Sequence, residues 1–108
     1  MSGRSRVRPR AARREAERAS RKLGDAREKL FRLEPGGSPE RPIEIPTASV
    51  VESRARALGC ARCGGQTTIE DHAAVVVEAG ARRRVRVRCP ACRASFDVWL
   101  AVVERTLS

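Results

Sequence analysis

The residues of this chain most able to do chemistry are its four cysteines, Cys60, Cys63, Cys89 and Cys92, which fall as two C-x-x-C pairs with 25 residues between them. A C-x-x-C turn aims two thiolates at one point about 2.3 Å from a shared metal, and two such turns complete a tetrahedron. Two other uses compete. A pair of disulfides needs an oxidising compartment, and the N-terminal segment, Arg-rich but without an apolar core, does not read as a secretory signal. A thioredoxin-type redox pair needs one C-x-x-C in a βαβ setting, whereas here two pairs lie in strand-like sequence.

Four thiolates fill a tetrahedral shell and leave no open position for water or substrate, so the expected metal is structural. Nothing else supplies catalytic chemistry. His72 is the only histidine and reads as a solvated strand-end residue, since the cysteines already complete the shell. Glu70 and Asp71 are adjacent, point oppositely in a regular strand, and form no carboxylate pair. The chain is expected to be neither an enzyme nor a binder of a small-molecule substrate.

The elements that must position the cysteines are β-strands. Gln66–Ala79 alternates, Gly80 marks a turn, and Arg82–Cys89 returns as RRRVRVRC, which predicts a hairpin. Period-two geometry places Val85 and Val87 inward and Arg84, Arg86 and Arg88 outward, each ~6.6 Å from the next. With Arg82 and Arg83 at the hairpin end, these arginines are the candidate nucleic-acid contacts; an Arg-decorated strand that resists edge-to-edge pairing is the plain alternative. The last strand spans Ser95–Val103, with Phe96, Val98, Leu100 and Val102 on one face and Asp97, Trp99 and Ala101 on the other. Trp99 could stack on a base or cover an arginine stem. The expected core is Leu58, Ile69, Val75, Val77, Val85, Val87, Phe96, Val98, Leu100 and Val102, small enough that folding should depend on the metal.

Charge is unevenly spread. Of 108 residues, 23 are Lys or Arg and 13 are Asp or Glu, for a formal net charge of +10. Residues 1–33 hold +8, residues 34–59 hold −1 and residues 60–108 hold +3. Most of the excess thus lies in a basic arm, residues 1–33, in which Ala16, Ala19, Leu23, Ala26, Leu30 and Leu33 recur at spacings of three and four. Gly24 interrupts this thin stripe, so the arm is expected to be partly helical or disordered. Residues 34–47, opening with EPGGSPER, read as a Pro/Gly-rich linker. Residues 48–108 read as the folded domain, and Pro42–Ala57 as an extended segment with one short strand. No apolar run reaches the ~18 residues of a membrane span, and Glu15 and Glu17 argue against an organellar transit peptide; the expected location is the cytoplasm.

The residues C-A-R-C-G-G at 60–65 and C-P-A-C-R at 89–93 resemble the zinc ribbon, a small β module built on two zinc knuckles. The resemblance covers residues 58–103. It implies one structural Zn²⁺ on Cys60, Cys63, Cys89 and Cys92, within a small β fold of antiparallel hairpins. A glycine often follows the second cysteine of such a knuckle; Gly64 matches and Arg93 does not. Arg62, Arg88 and Arg93 flank the sulfurs and would offset the charge of the tetrathiolate. The same motif is similar to rubredoxin, whose thiolates hold iron, but the aromatic core of that family is missing here. With the basic balance, the expected function is binding of DNA or RNA through the Arg-rich strand and the arm. The alternative is a protein–protein adaptor in a larger complex, with Leu30, Phe31 and Leu33 as anchors.

Overall fold

The computed structural model describes residues 9–103; residues 1–8 of the basic arm lie outside the described residues. In chain order the elements are α1 (Pro9–Leu33), β1 (Ile43–Ile45), a 3₁₀ turn (Ala48–Val50), α2 (Val51–Ala57), β2 (Thr68–Val77), β3 (Gly80–Arg88) and β4 (Ser95–Val102). The fold is small and β-rich, with a four-stranded sheet in the order β1-β4-β3-β2. No helix among the described residues is long and apolar enough to cross a membrane.

The hairpin forms where the alternation places it. β2 and β3 are antiparallel, Val77 opposite Gly80, and β4 adds antiparallel to β3 with Val85 opposite Val98. The sheet is nonetheless mixed, which corrects the expectation of antiparallel hairpins alone. β1 runs parallel to β4, Ile43 opposite Leu100 and Ile45 opposite Val102. A parallel neighbour needs a long crossover, and here the chain between the two strands includes α2 and the whole β2–β3 hairpin. β1 lies within the 34–47 stretch that composition marks as linker.

The core also differs from the expected set. Val85, Val87, Val98 and Leu100 are fully buried, with Ile69 and Phe96 packed against them. The rest of the buried cluster is Ile43 and Ile45 from β1 and Val51 and Ala55 from α2. Val51 and Ala55 are four residues apart, one face of a helix, so α2 lays a stripe across the sheet where an extended segment was expected. Leu58 and Val102 are 45% and 40% exposed. Leu58 is the C-cap residue of α2 and lines a surface cavity with Leu30 and Phe31 of α1, and Val102 is the last residue of β4, opposite Ile45.

α1 is one continuous helix of 25 residues through Gly24, where a partly helical or disordered arm was expected. Its C-terminus is held in three ways. The Arg41 guanidinium donates to the Leu33 carbonyl at 2.6 Å, satisfying an orphan acceptor of the last turn. Phe31 meets Phe96 edge to face, ring centroids 5.3 Å apart. Beyond the helix, the Trp99 N–H donates to the Gly36 carbonyl at 2.9 Å, so the PGG segment extends the edge of β4.

Candidate metal centre

The two knuckles stand at the end of the three antiparallel strands where Thr68, Arg88 and Ser95 lie in register. Knuckle one follows α2 and leads into β2; knuckle two joins β3 to β4. They are built alike. In the first, Gly64 N–H donates to Cys60 C=O at 2.9 Å and Cys60 N–H to Gly65 C=O at 2.8 Å. In the second, Arg93 N–H donates to Cys89 C=O at 2.7 Å and Cys89 N–H to Ala94 C=O at 2.9 Å. Gly64 has φ 79° and Arg93 has φ 65°. The second knuckle therefore makes the same left-handed turn without the glycine, and the departure at Arg93 leaves its geometry unchanged.

This geometry brings the four sulfurs within 4.8 Å of one another. Cys60 and Cys92 approach to 3.5 Å, as do Cys63 and Cys89. Metal–sulfur bonds of ~2.3 Å in a tetrahedron give edges of ~3.8 Å between sulfurs, so these side chains can share one ion with little movement. The cysteines are unbridged. Backbone N–H groups converge on the sulfurs, as thiolates require: Arg62 and Cys63 donate to Cys60 Sγ at 3.3 and 3.5 Å, and Gly65 to Cys63 Sγ at 3.4 Å. N–H groups led by that of Cys92 hold the Cys89 thiol down to about 7, while burial pushes Cys92 up to about 12. Cys60 and Cys89 are buried, and Cys63 and Cys92 are exposed toward α1.

His72 is not near this cluster of ligands. It stands within β2, half-buried, with Nδ1 3.1 Å from Glu52 Oε2 on α2, which replaces the expected solvated strand end. Glu70 sits at a bulge, since Ile69 opposes Val87 and Asp71 opposes Arg86. The extra residue breaks the alternation, so both neighbouring carboxylates reach the arginine face instead of pointing oppositely.

The arginine ladder is present but its charge is answered locally. Arg84 pairs with Asp71 at 3.1 Å, Arg86 with Asp97 at 3.3 Å and Arg88 with Glu70 at 3.9 Å. Arg82 donates from Nε to the Pro39 carbonyl at 2.7 Å, and Arg83 falls in the strand alternation with Val85 and Val87. Trp99 is half-buried beside Phe31 and Phe96 at a surface cavity.

Arg62 carries a role that spacing did not disclose. It stands between the two ligands of knuckle one and reaches α1: Nη1 is 2.8 Å from Asp25 Oδ1 and 3.5 Å from Glu28 Oε2, and Nη2 donates to the Arg21 carbonyl at 3.3 Å. In return Arg27 Nη1 donates to the Arg62 carbonyl at 3.3 Å. The Asp25 hydrogen bond raises the Arg62 pKa further above its ordinary value. Gly24 is buried against this guanidinium; a Cβ there would stand 2.5 Å from Nη2. The glycine that breaks the apolar stripe is thus the point where helix and knuckle meet. Compared with protein families, with curated proteins and with solved structures, the chain matches none.

Proposed function

We propose that this chain is a non-catalytic module of zinc-ribbon type, in which one structural Zn²⁺ on Cys60, Cys63, Cys89 and Cys92 fixes the knuckles so that α1 is held out to a macromolecular partner. The observation that carries this reading is the position of Arg62, inside the metal knuckle yet bonded to Arg21, Asp25 and Glu28 of α1. A closed tetrathiolate shell supports a structural ion, and reduced cysteines suit the cytoplasm. Zinc, and not the iron of a rubredoxin-like carrier, suits a site whose buried core is aliphatic, with Phe31 and Phe96 only packed at its edge.

The adaptor role is favoured over nucleic-acid binding through the strand, because Arg84, Arg86 and Arg88 each face a carboxylate. A second reading, contact with DNA or RNA, is favoured by α1 itself, whose Arg10, Arg13, Arg14, Arg18 and Arg21 are exposed. The test is amide exchange on the zinc-loaded and chelated protein. Protection over residues 21–31 should be lost with the metal. Equal protection without it would contradict the reading, as would a loaded protein with one iron per chain and visible thiolate-to-iron absorbance.

A further inference from the structure

α1 has two faces, and the module covers only one, with Leu30 at the border where it lines a surface cavity beside Leu58 and Ala61. Gly24, Glu28 and Phe31 lie toward the sheet and knuckle. At ~100° per residue, Leu30 is turned about 120° from Gly24, and with it turns the stripe of Ala16, Ala19, Leu23, Ala26, Leu30 and Leu33. Every member of this stripe is exposed, Leu23 at 53%, Leu30 at 57% and Leu33 at 63%. The spacing of three, four, three, four and three is that of heptad a and d positions, the seam by which one helix packs on another. Three of the six are alanines, which let a second helix approach closely.

The charges beside the seam choose between occupants. In this register Arg13 and Arg27 take e positions, and Lys22 and Lys29 take g positions, with Glu15 the one carboxylate at e or g within α1. A second copy would set these cations against their own kind, which costs a helix pair stability. An incoming helix with carboxylates at its own e and g positions would meet them with opposite charge.

We propose that the Leu23, Leu30 and Leu33 seam of α1 docks an acidic amphipathic helix of a protein partner, with Lys22, Arg27 and Lys29 reading its charge. This rests on the reading of α1 as a helix held out by the knuckle, and adds the chemistry of what it meets.

The test uses the full-length zinc-loaded protein and a fluorescent four-heptad peptide with Leu at a and d and Glu at e and g. Anisotropy titration at ~0.15 M salt should show saturable binding, weakened about tenfold or more when the peptide carries Lys at e and g. The double substitution Leu23→Glu with Leu30→Glu, at exposed positions, should abolish it, and a Glu peptide with Ser at a and d should not bind. Equal binding of the Ser peptide would overturn the proposal, because charge alone would then suffice. So would a dimer in sedimentation that the double substitution dissolves, which would assign the seam to a second copy. Displacement of the peptide by a DNA duplex or single-stranded RNA bound equally well by the double variant would assign α1 to nucleic acid. Amide protection over residues 21–31 separates the two levels of failure. If it is present and the Glu peptide does not bind, the partner is wrong; if it is absent in the loaded protein, both the partner and the held helix are wrong.

Discussion

The Arg62 guanidinium lies 2.8 Å from the Asp25 carboxylate, tying the first metal knuckle to a helix 37 residues earlier in the chain. Both groups of the pair are partly solvated, Arg62 at 22% exposure and Asp25 at 59%, so the link depends on several bonds acting together. Arg62→Ala removes the bonds to Arg21, Asp25 and Glu28 together and leaves Gly24 facing an empty surface. The expected outcome is a module with unchanged metal content and sheet signals but with exchange protection of residues 21–31 reduced about tenfold or more. Arg62→Lys should recover little, since an ammonium cannot reach Asp25 and the Arg21 carbonyl with a planar fork. Unaltered protection in Arg62→Ala would mean that Phe31 and the PGG segment alone hold the helix.

A longer side chain at position 24 tests the same contact from the other side. A Cβ there stands 2.5 Å from the Arg62 Nη2 atom, and that atom is the tip of a flexible chain, so Gly24→Ala should displace the guanidinium without unfolding anything. Alanine also favours the helix by ~1 kcal/mol over glycine. Gly24→Ala is therefore expected to raise helicity in circular dichroism while lowering protection at residues 25–28, two readouts moving in opposite senses. If both rise together, the glycine serves no docking purpose.

At Arg93 the expectation concerns backbone strain. With φ 65° this residue occupies the turn position that Gly64 takes in the other knuckle, and an L side chain there costs roughly 1–2 kcal/mol. Glycine removes that cost but frees the unfolded chain by ~0.4–1 kcal/mol. Arg93→Gly should thus stabilise the loaded module by ~0.5–1 kcal/mol, and the β-branched Arg93→Val should destabilise it by ~1 kcal/mol or more. Urea unfolding at fixed zinc concentration measures both. A loss of stability in Arg93→Gly would show that the guanidinium contributes more to the site than the backbone strain removes.

What the sequence disclosed and what it hid divides along physical lines. Cys60, Cys63, Cys89 and Cys92 announced themselves because a knuckle is a local turn with fixed spacing, and Val85, Val87, Val98 and Leu100 because strand alternation is also local. Val51 and Ala55 were hidden because α2 has seven residues, too few for a period to stand out. The short strand expected within Pro42–Ala57 is found at Ile43–Ile45; its parallel seat beside β4, which puts both isoleucines in the core, was hidden because it depends on a partner far along the chain. The ion pairs of Arg84, Arg86 and Arg88 depend on the register of three strands and a bulge at Glu70, none of which single-strand alternation contains. Gly24 looked like a defect in a weak helix because its partner, Arg62, is far along the chain.

Those ion pairs make a prediction about nucleic acid. Asp71 and Asp97 face Arg84 and Arg86 at 3.1 and 3.3 Å, and exposed pairs of this kind contribute only ~0–1 kcal/mol to stability. The double substitution Asp71→Asn with Asp97→Asn should therefore fold normally and free two guanidinium groups ~6.6 Å apart along β3. Binding to single-stranded or duplex DNA should strengthen, and the slope of log affinity against log salt should steepen by about 0.7–0.9 for each further phosphate that a freed arginine neutralises. An unchanged slope would remove β3 as a phosphate-tracking surface in any form of the protein.

The pH dependence of metal loading follows from the thiols themselves. The Gly65 N–H pulls the Cys63 pKa down, but the neighbouring Cys89 thiol and burial outweigh it and leave the value raised. Burial holds Cys92 up at about 12. Both arrive at pH 7 as thiols, so binding must expel their protons, and affinity must fall as pH falls. Cys89 has the opposite shift, down to about 7 from 9.0, with the Cys92 N–H as its main cause. In the metal-free fold its thiolate contributes stability that is present above pH ~9 and lost as pH falls through ~7; below that point it too must release a proton to bind. Chelator competition should give a zinc affinity that drops at least about a hundredfold per pH unit between pH 8 and 7, about tenfold for each of the protons displaced from Cys63 and Cys92, and more steeply below. An affinity flat from pH 8 to 6 would mean that the thiols are already ionised before the metal arrives, and that N–H donors such as that of Gly65 to Cys63 dominate over burial.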